Sequence, residues 1–158
     1  MNTKLVRYSS GPAWMVPVGR VLFALIFVTS APNLFTYTTV EMVAKHGVPY
    51  APILVPIAGL LALLGGLSVA FGYKTRVGAS LLVLFLVPVT IFMHNFWDVH
   101  DPALRQMQGI NFMKNLALLG GAFAFAFFGA GPMSVDAPKG LTESKPVSLP
   151  HRSDRKAA

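Results

Sequence analysis

Residues 77–93 read VGASLLVLFLVPVTIFM, without a single charge, and residues 94–101 immediately after them read HNFWDVHD. A helix rises 1.5 Å per residue, so an apolar run of this length nearly spans the roughly 30 Å of hydrocarbon in a bilayer. Three further stretches, residues 21–40, 47–73 and 115–135, are also free of charge. The whole chain of 158 residues is 54% hydrophobic and 12% charged, about half the charged fraction of an average soluble domain. A soluble bundle would carry a polar stripe along each helix, and these segments carry none. The sequence therefore predicts an all-α, integral membrane four-helix bundle.

Working outward, the spans are placed at about residues 17–38, 52–71, 76–97 and 109–128, within a transmembrane domain of residues 13–131. Residues 1–12 form a polar lead-in. Residues 132–158 shift to Pro, Ser, Lys and Arg and read as a disordered basic tail. Thr29-Ser30-Ala31 loosely resembles a signal-peptide cleavage site, but Pro32 would follow the cut directly, so the first span is read as retained. The chain has no cysteine, which removes disulfides, thiolate metal sites and iron–sulfur clusters from its own repertoire.

Net charge is +7, and its distribution is the more informative part. Four spans put both ends and the short turn near Lys74 on one side. Ten of the thirteen basic residues fall there, against Lys45, Arg105 and Lys114 on the other side. The positive-inside rule makes the basic side cytoplasmic, so the expectation is an inner (cell) membrane protein with both termini inside. Residues 94–101 then face outward, into a periplasm. The basic tail suits anionic lipid and not nucleic acid.

The chain contains one internal echo: LALLGG at residues 61–66 recurs at 116–121, and Arg20–Pro32 and Arg76–Pro88 share a spacing of twelve. Two parallel helical-hairpin repeats would produce this, and so would chance recurrence of Leu, Ala and Gly. Under the repeat, Arg20 matches Arg76 at a helix start and snorkels to headgroups; otherwise it turns inward. Pro32 and Pro88 are expected to kink their helices and either open a cavity or merely serve packing. The paired glycines read as close helix contacts.

Chemistry concentrates after residue 93. His94 and Asp98 are four apart and share a face if the third span persists, with His100 and Asp101 one turn on. Imidazole plus carboxylate can pass protons, hydrogen-bond a quinone carbonyl or ligate a metal. The spacing matches no metal signature, leaving His94, Asp98 and His100 as weak metal candidates. A solvated helix end anchored by Trp97 is the plain alternative. Asn111, Lys114 and Asn115 fall on the first turns of the predicted fourth span. A cation near a helix start opposes the macrodipole, so Lys114 is expected to meet Asp98 or Asp101. That pair would pin two helices, or Lys114 and Asn115 would line an outward pocket with His94.

Several of these pieces together resemble the DoxX family: Gly19-Arg20, Gly65-Gly66, Gly72, Arg76, Pro88 before His94-Asn95-Phe96-Trp97, Phe112–Ala117 and Gly129–Asp136. The resemblance covers about residues 15–136. It implies a small four-helix membrane protein of mostly bacterial occurrence, some relatives being subunits of thiosulfate:quinone oxidoreductase. Where many such relatives carry an acid in the second span, this chain has Ala62. The resemblance implies a subunit or partner in quinone-linked redox metabolism. His94 and Asp98 are then catalytic candidates, and His94, Trp97, Lys114 and Asn115 candidates for holding quinone. The rival readings are a membrane scaffold or assembly and stress factor, and a small-solute transporter. Expected partners are the lipid bilayer, other membrane or redox proteins and a second copy of the chain.

Overall fold

The computed structural model describes residues 11–137. Four helical segments are long and apolar enough to cross a membrane: Met15–Phe35, Ala51–Phe71, Thr75–Asp98 and Pro102–Phe128. The first consists of α1 (Met15–Ser30) followed by a 3₁₀ turn, Ala31–Phe35. Pro32 has no N–H to continue the α-helical ladder, and the chain tightens there instead. A short helix, α2 (Tyr37–Lys45), crosses to α3 (Ala51–Phe71); α4 (Thr75–Met93) and α5 (Pro102–Phe128) complete the bundle. Helix α3 stops at Gly72, whose φ of 68° needs a residue without a Cβ.

Helix α1 packs on α3, α3 on α4 and α4 on α5. The ring between α5 and α1 is closed by Phe23 against Phe125, with centroids 5.1 Å apart. The core holds Phe27, Val69, Leu82, Phe85 and Leu86 among small residues such as Ala24, Ala62, Ala79 and Ala122. Small residues matter here because lipid supplies no hydrophobic drive between helices, so stability comes from close packing. A Cβ on Gly65 would lie 2.8 Å from the carbonyl oxygen of Gly78, and one on Gly121 would lie 2.7 Å from the Phe23 ring. The exterior is apolar instead, with Leu22, Leu84, Phe127 and Phe128 all exposed. Among the described residues, Arg20, Thr75, Thr90 and Asn115 are the buried polar ones. Apolar outside and selectively polar inside is the arrangement that lipid favours, and the chain is a multi-pass membrane protein.

Three boundaries differ from the sequence expectation. Residues 39–51 fall between the first two predicted spans, yet Tyr37–Lys45 forms α2, whose N-terminus is capped by Thr36 accepting from Thr39 N. Helix α4 ends at Met93, not near 97, and a 3₁₀ turn covers Phe96–Asp98. Helix α5 starts at Pro102, not near 109, because Asp101 caps it by accepting from Leu104 N at 2.8 Å and Pro102 suits the first helical position. The lead-in before residue 11 and the tail beyond 137 lie outside the described residues.

Candidate functional site

At the loop end, His94 Nδ1 lies 2.8 Å from Gln108 Oε1, tying the end of α4 to α5. The oxygen can only accept, so Nδ1 carries the proton in this pair. Asn95 Nδ2 donates to Asp98 Oδ2 at 2.9 Å. Because α4 ends at Met93, His94 and Asp98 do not share a helical face. Lys114 donates to Asn111 Oδ1 at 3.0 Å, within its own helix. The anticipated pairing of Lys114 with Asp98 or Asp101 does not form. The helix begins twelve residues earlier, which removes the macrodipole argument for it. Among the described residues the ion pair that does form is Lys45–Glu41, 2.9 Å.

Asn115 is turned into the bundle, 7% exposed, while Trp97, Asp98, His100 and Lys114 are exposed. Phe96, Trp97 and Phe112 meet edge to face, with centroids 5.3 to 5.9 Å apart. Among the described residues no hydrogen bond joins His94, Asp98 and Lys114 to one another. Nor do they include any group of three or more His, Cys, Asp or Glu that could hold a metal.

Two cavities lie elsewhere. A groove of about 380 Å³ opens between α2, α3 and α4 at the loop end, within the ~300–1,000 Å³ typical of ligand sites. Met42, Val43, Val48, Ala58, Pro88 and Met93 are among its walls, and Thr39 brings the one hydroxyl. Beneath it Val43, Ala51 and Val55 form a small second core. Pro88 lines this groove and Pro32 is not among its walls. The α2 wall was missed because residues 36–38 read as the end of the first span, where Thr36 instead leaves the helix and caps α2.

The second cavity, about 630 Å³, lies at the opposite end, where α4 begins and α5 ends. Arg20 is the anchor of this end. It is 2% exposed, with Nη1 donating to the carbonyl of Ala130 and Nη2 to that of Met133, both at 2.7 Å. Snorkelling was one of two readings for Arg20, and the inward one is observed. Residues 129–137 form a strap across this end. Asp136 N donates to the Gly72 carbonyl at 2.9 Å, and Asp136 Oδ2 accepts from Thr75 N at 3.1 Å. The backbone N–H groups of Lys74 and Thr75 hold the Asp136 carboxyl below the usual carboxylate range. The sequence signal was available: a lone Arg in an apolar span must find acceptors, and the glycine-rich run 129–131 offers bare carbonyls.

These features define a class, a multi-pass helical membrane protein with a latched end and a grooved end. The chain belongs to the SURF4 family, whose match spans residues 6–141. It is 26% identical over 139 residues to the inner membrane protein YphA of Escherichia coli, covering 86% of this chain and 99% of that one. It is 33% identical over 127 residues to the inner membrane protein YqjF of the same organism, covering 77% and 88%. It is 26% identical over 126 residues to the ER-derived vesicles protein ERV29 of Saccharomyces cerevisiae. That match covers 80% of this chain and only 34% of the yeast protein. No solved structure matches it.

The family match overturns the DoxX resemblance, and the quinone-linked redox role rested on that resemblance and goes with it. The physical reason lies in what the shared residues do. Gly65 and Gly66 pack helices, and Gly72 makes room for Arg20. The run 129–136 supplies carbonyls to Arg20 and a cap to α4. Such residues report how a four-helix bundle is closed, not what chemistry it performs.

Proposed function

We propose that this chain is an inner-membrane protein, with both termini cytoplasmic, that works by binding a partner polypeptide at its outward end. The observation that carries the reading is the groove between α2, α3 and α4. Its walls are almost wholly apolar, and α2 places its mouth at the level where the chain turns back into the membrane. Met42 and Met93 give it adaptable, polarisable edges, a trait of surfaces that accept varied apolar side chains. The polar rim beside Met93, with His94 hydrogen-bonded to Gln108 and Trp97 exposed, adds contacts that an apolar groove lacks. The ten-to-three distribution of basic residues supports the orientation. The relatives named for an inner membrane and for ER-derived vesicles support a role inside a membrane.

The test is site-specific photocrosslinking in intact membranes, with a photoreactive amino acid at Met42. Adducts with polypeptide are expected at Met42 and absent at Phe127, on the lipid-facing surface at the other end. Adducts with lipid alone at both positions contradict the reading.

A further inference from the structure

We propose that the cavity at the latched end binds the phosphate of an anionic phospholipid. Its lining residues fall at the start of the third apolar span and the end of the fourth. Lys74 and Arg76 line it from one side and Phe128 and Met133 from the other, with Val77 continuing the apolar wall along α4. Neither cation is ion-paired among the described residues. The Thr75 amide at the start of α4 is already taken by Asp136, so the phosphate is held by the two cationic side chains. Arg20 behind the strap brings the local balance to three cations against one acid.

A further observation supports an acceptor arriving here. Thr75 lines the cavity and is 1% exposed, and its Oγ1 has no hydrogen-bond partner. A buried hydroxyl without a partner is costly, and a phosphate oxygen would supply the missing acceptor. The apolar walls then follow the first part of an acyl chain toward the bilayer, which a free phosphate would leave uncovered.

The full-length protein, purified in a zwitterionic detergent, is presented with phosphatidylglycerol, with phosphatidylcholine and with inorganic phosphate, and bound lipid is counted by native mass spectrometry. Phosphatidylglycerol is expected to be retained, and phosphatidylcholine is not. The double variant Lys74→Gln/Arg76→Gln is expected to hold at least roughly tenfold less of it, the scale set by two basic side chains near an anionic surface. Lys45→Gln/Arg105→Gln removes the same charge at the other end and is expected to bind as the parent does. Equal losses in the two double variants overturn the proposal, as does undiminished binding in the first. Inorganic phosphate displacing the lipid at equal concentration also overturns it.

Discussion

Arg20 shows how one residue can decide the end of a bundle. A guanidinium withdrawn from water needs well-placed acceptors for its donors. The carbonyls of Ala130 and Met133 provide two, each at 2.7 Å. Arg20→Leu leaves both carbonyls without their donor and frees the strap. The expected loss is roughly 2–4 kcal/mol, since hydrogen bonds to charged groups are individually strong, read as a lower unfolding temperature and faster proteolysis near residue 133. Arg20→Lys keeps the charge but loses the planar fork that reaches two carbonyls at once, and an intermediate loss is expected. Equal losses in the two variants would show that the fork alone matters, and parent-like behaviour of Arg20→Lys that charge alone does.

Asp136 gives the same latch a pH dependence. Its folded-state value is depressed, mainly by the backbone N–H groups of Lys74 and Thr75. A depressed carboxyl stabilises the fold above its unfolded value, near 3.9, and that contribution is lost as pH falls through the lower folded value. Between about pH 5 and pH 3 the unfolding temperature of the parent should therefore drop more steeply than that of Asp136→Asn. Parallel curves would contradict this role.

At the scale of elements, the repeated LALLGG hexapeptide is used in two ways. Gly65 faces α4, and Gly66 faces α1 through Phe27 and Val28. In the second copy Gly121 faces Phe23 of α1, and Gly120 has nothing within 4 Å. Gly65→Ala must displace backbone at Gly78 and is expected to cost about 1–3 kcal/mol, as overpacked sites do. Gly120→Ala is expected to be neutral or to stabilise by up to about 1 kcal/mol through helix propensity. Thermal unfolding of the two variants separates these outcomes. Identical sequence with non-identical packing also explains what was legible. Spans are written in long local runs of apolar residues, and all four were found. Which face of a span meets which neighbour depends on distant residues, and no local pattern records it. The Asp101-Pro102 pair, in contrast, was a readable helix start, and overlooking it misplaced Lys114 relative to its helix. The end of α4 was not readable, because His94 and Asn95 are as compatible with a continuing helix as with a terminus.

The whole molecule has two unlike ends: one latched by Arg20 and Asp136 and rich in cations, the other grooved and flanked by aromatic side chains. The latch was only half legible: Arg20 in an apolar span needs acceptors, but no local pattern says that they lie 110 residues away, and the strap alone looks like the start of a linker. Pro88 lines the groove, but no sequence pattern marked its third wall, α2. The proposed orientation rests on charge, and the cysteine-free chain makes it simple to check. His100→Cys should be labelled by a membrane-impermeant maleimide added outside intact cells, and Val135→Cys only after the membrane is opened. The reverse pattern would invert the topology.

Partner binding in the groove is the central claim, and blocking the groove tests it most directly. Ala58 lies on its wall and is partly buried, so Ala58→Trp should fill much of the space while leaving the latched end untouched. The measurement is the yield of polypeptide adduct from a photoreactive residue at Met42, with and without this substitution, at equal protein level and equal unfolding temperature. A loss of most of the adduct in the filled groove is the predicted result; an unchanged yield would contradict the account.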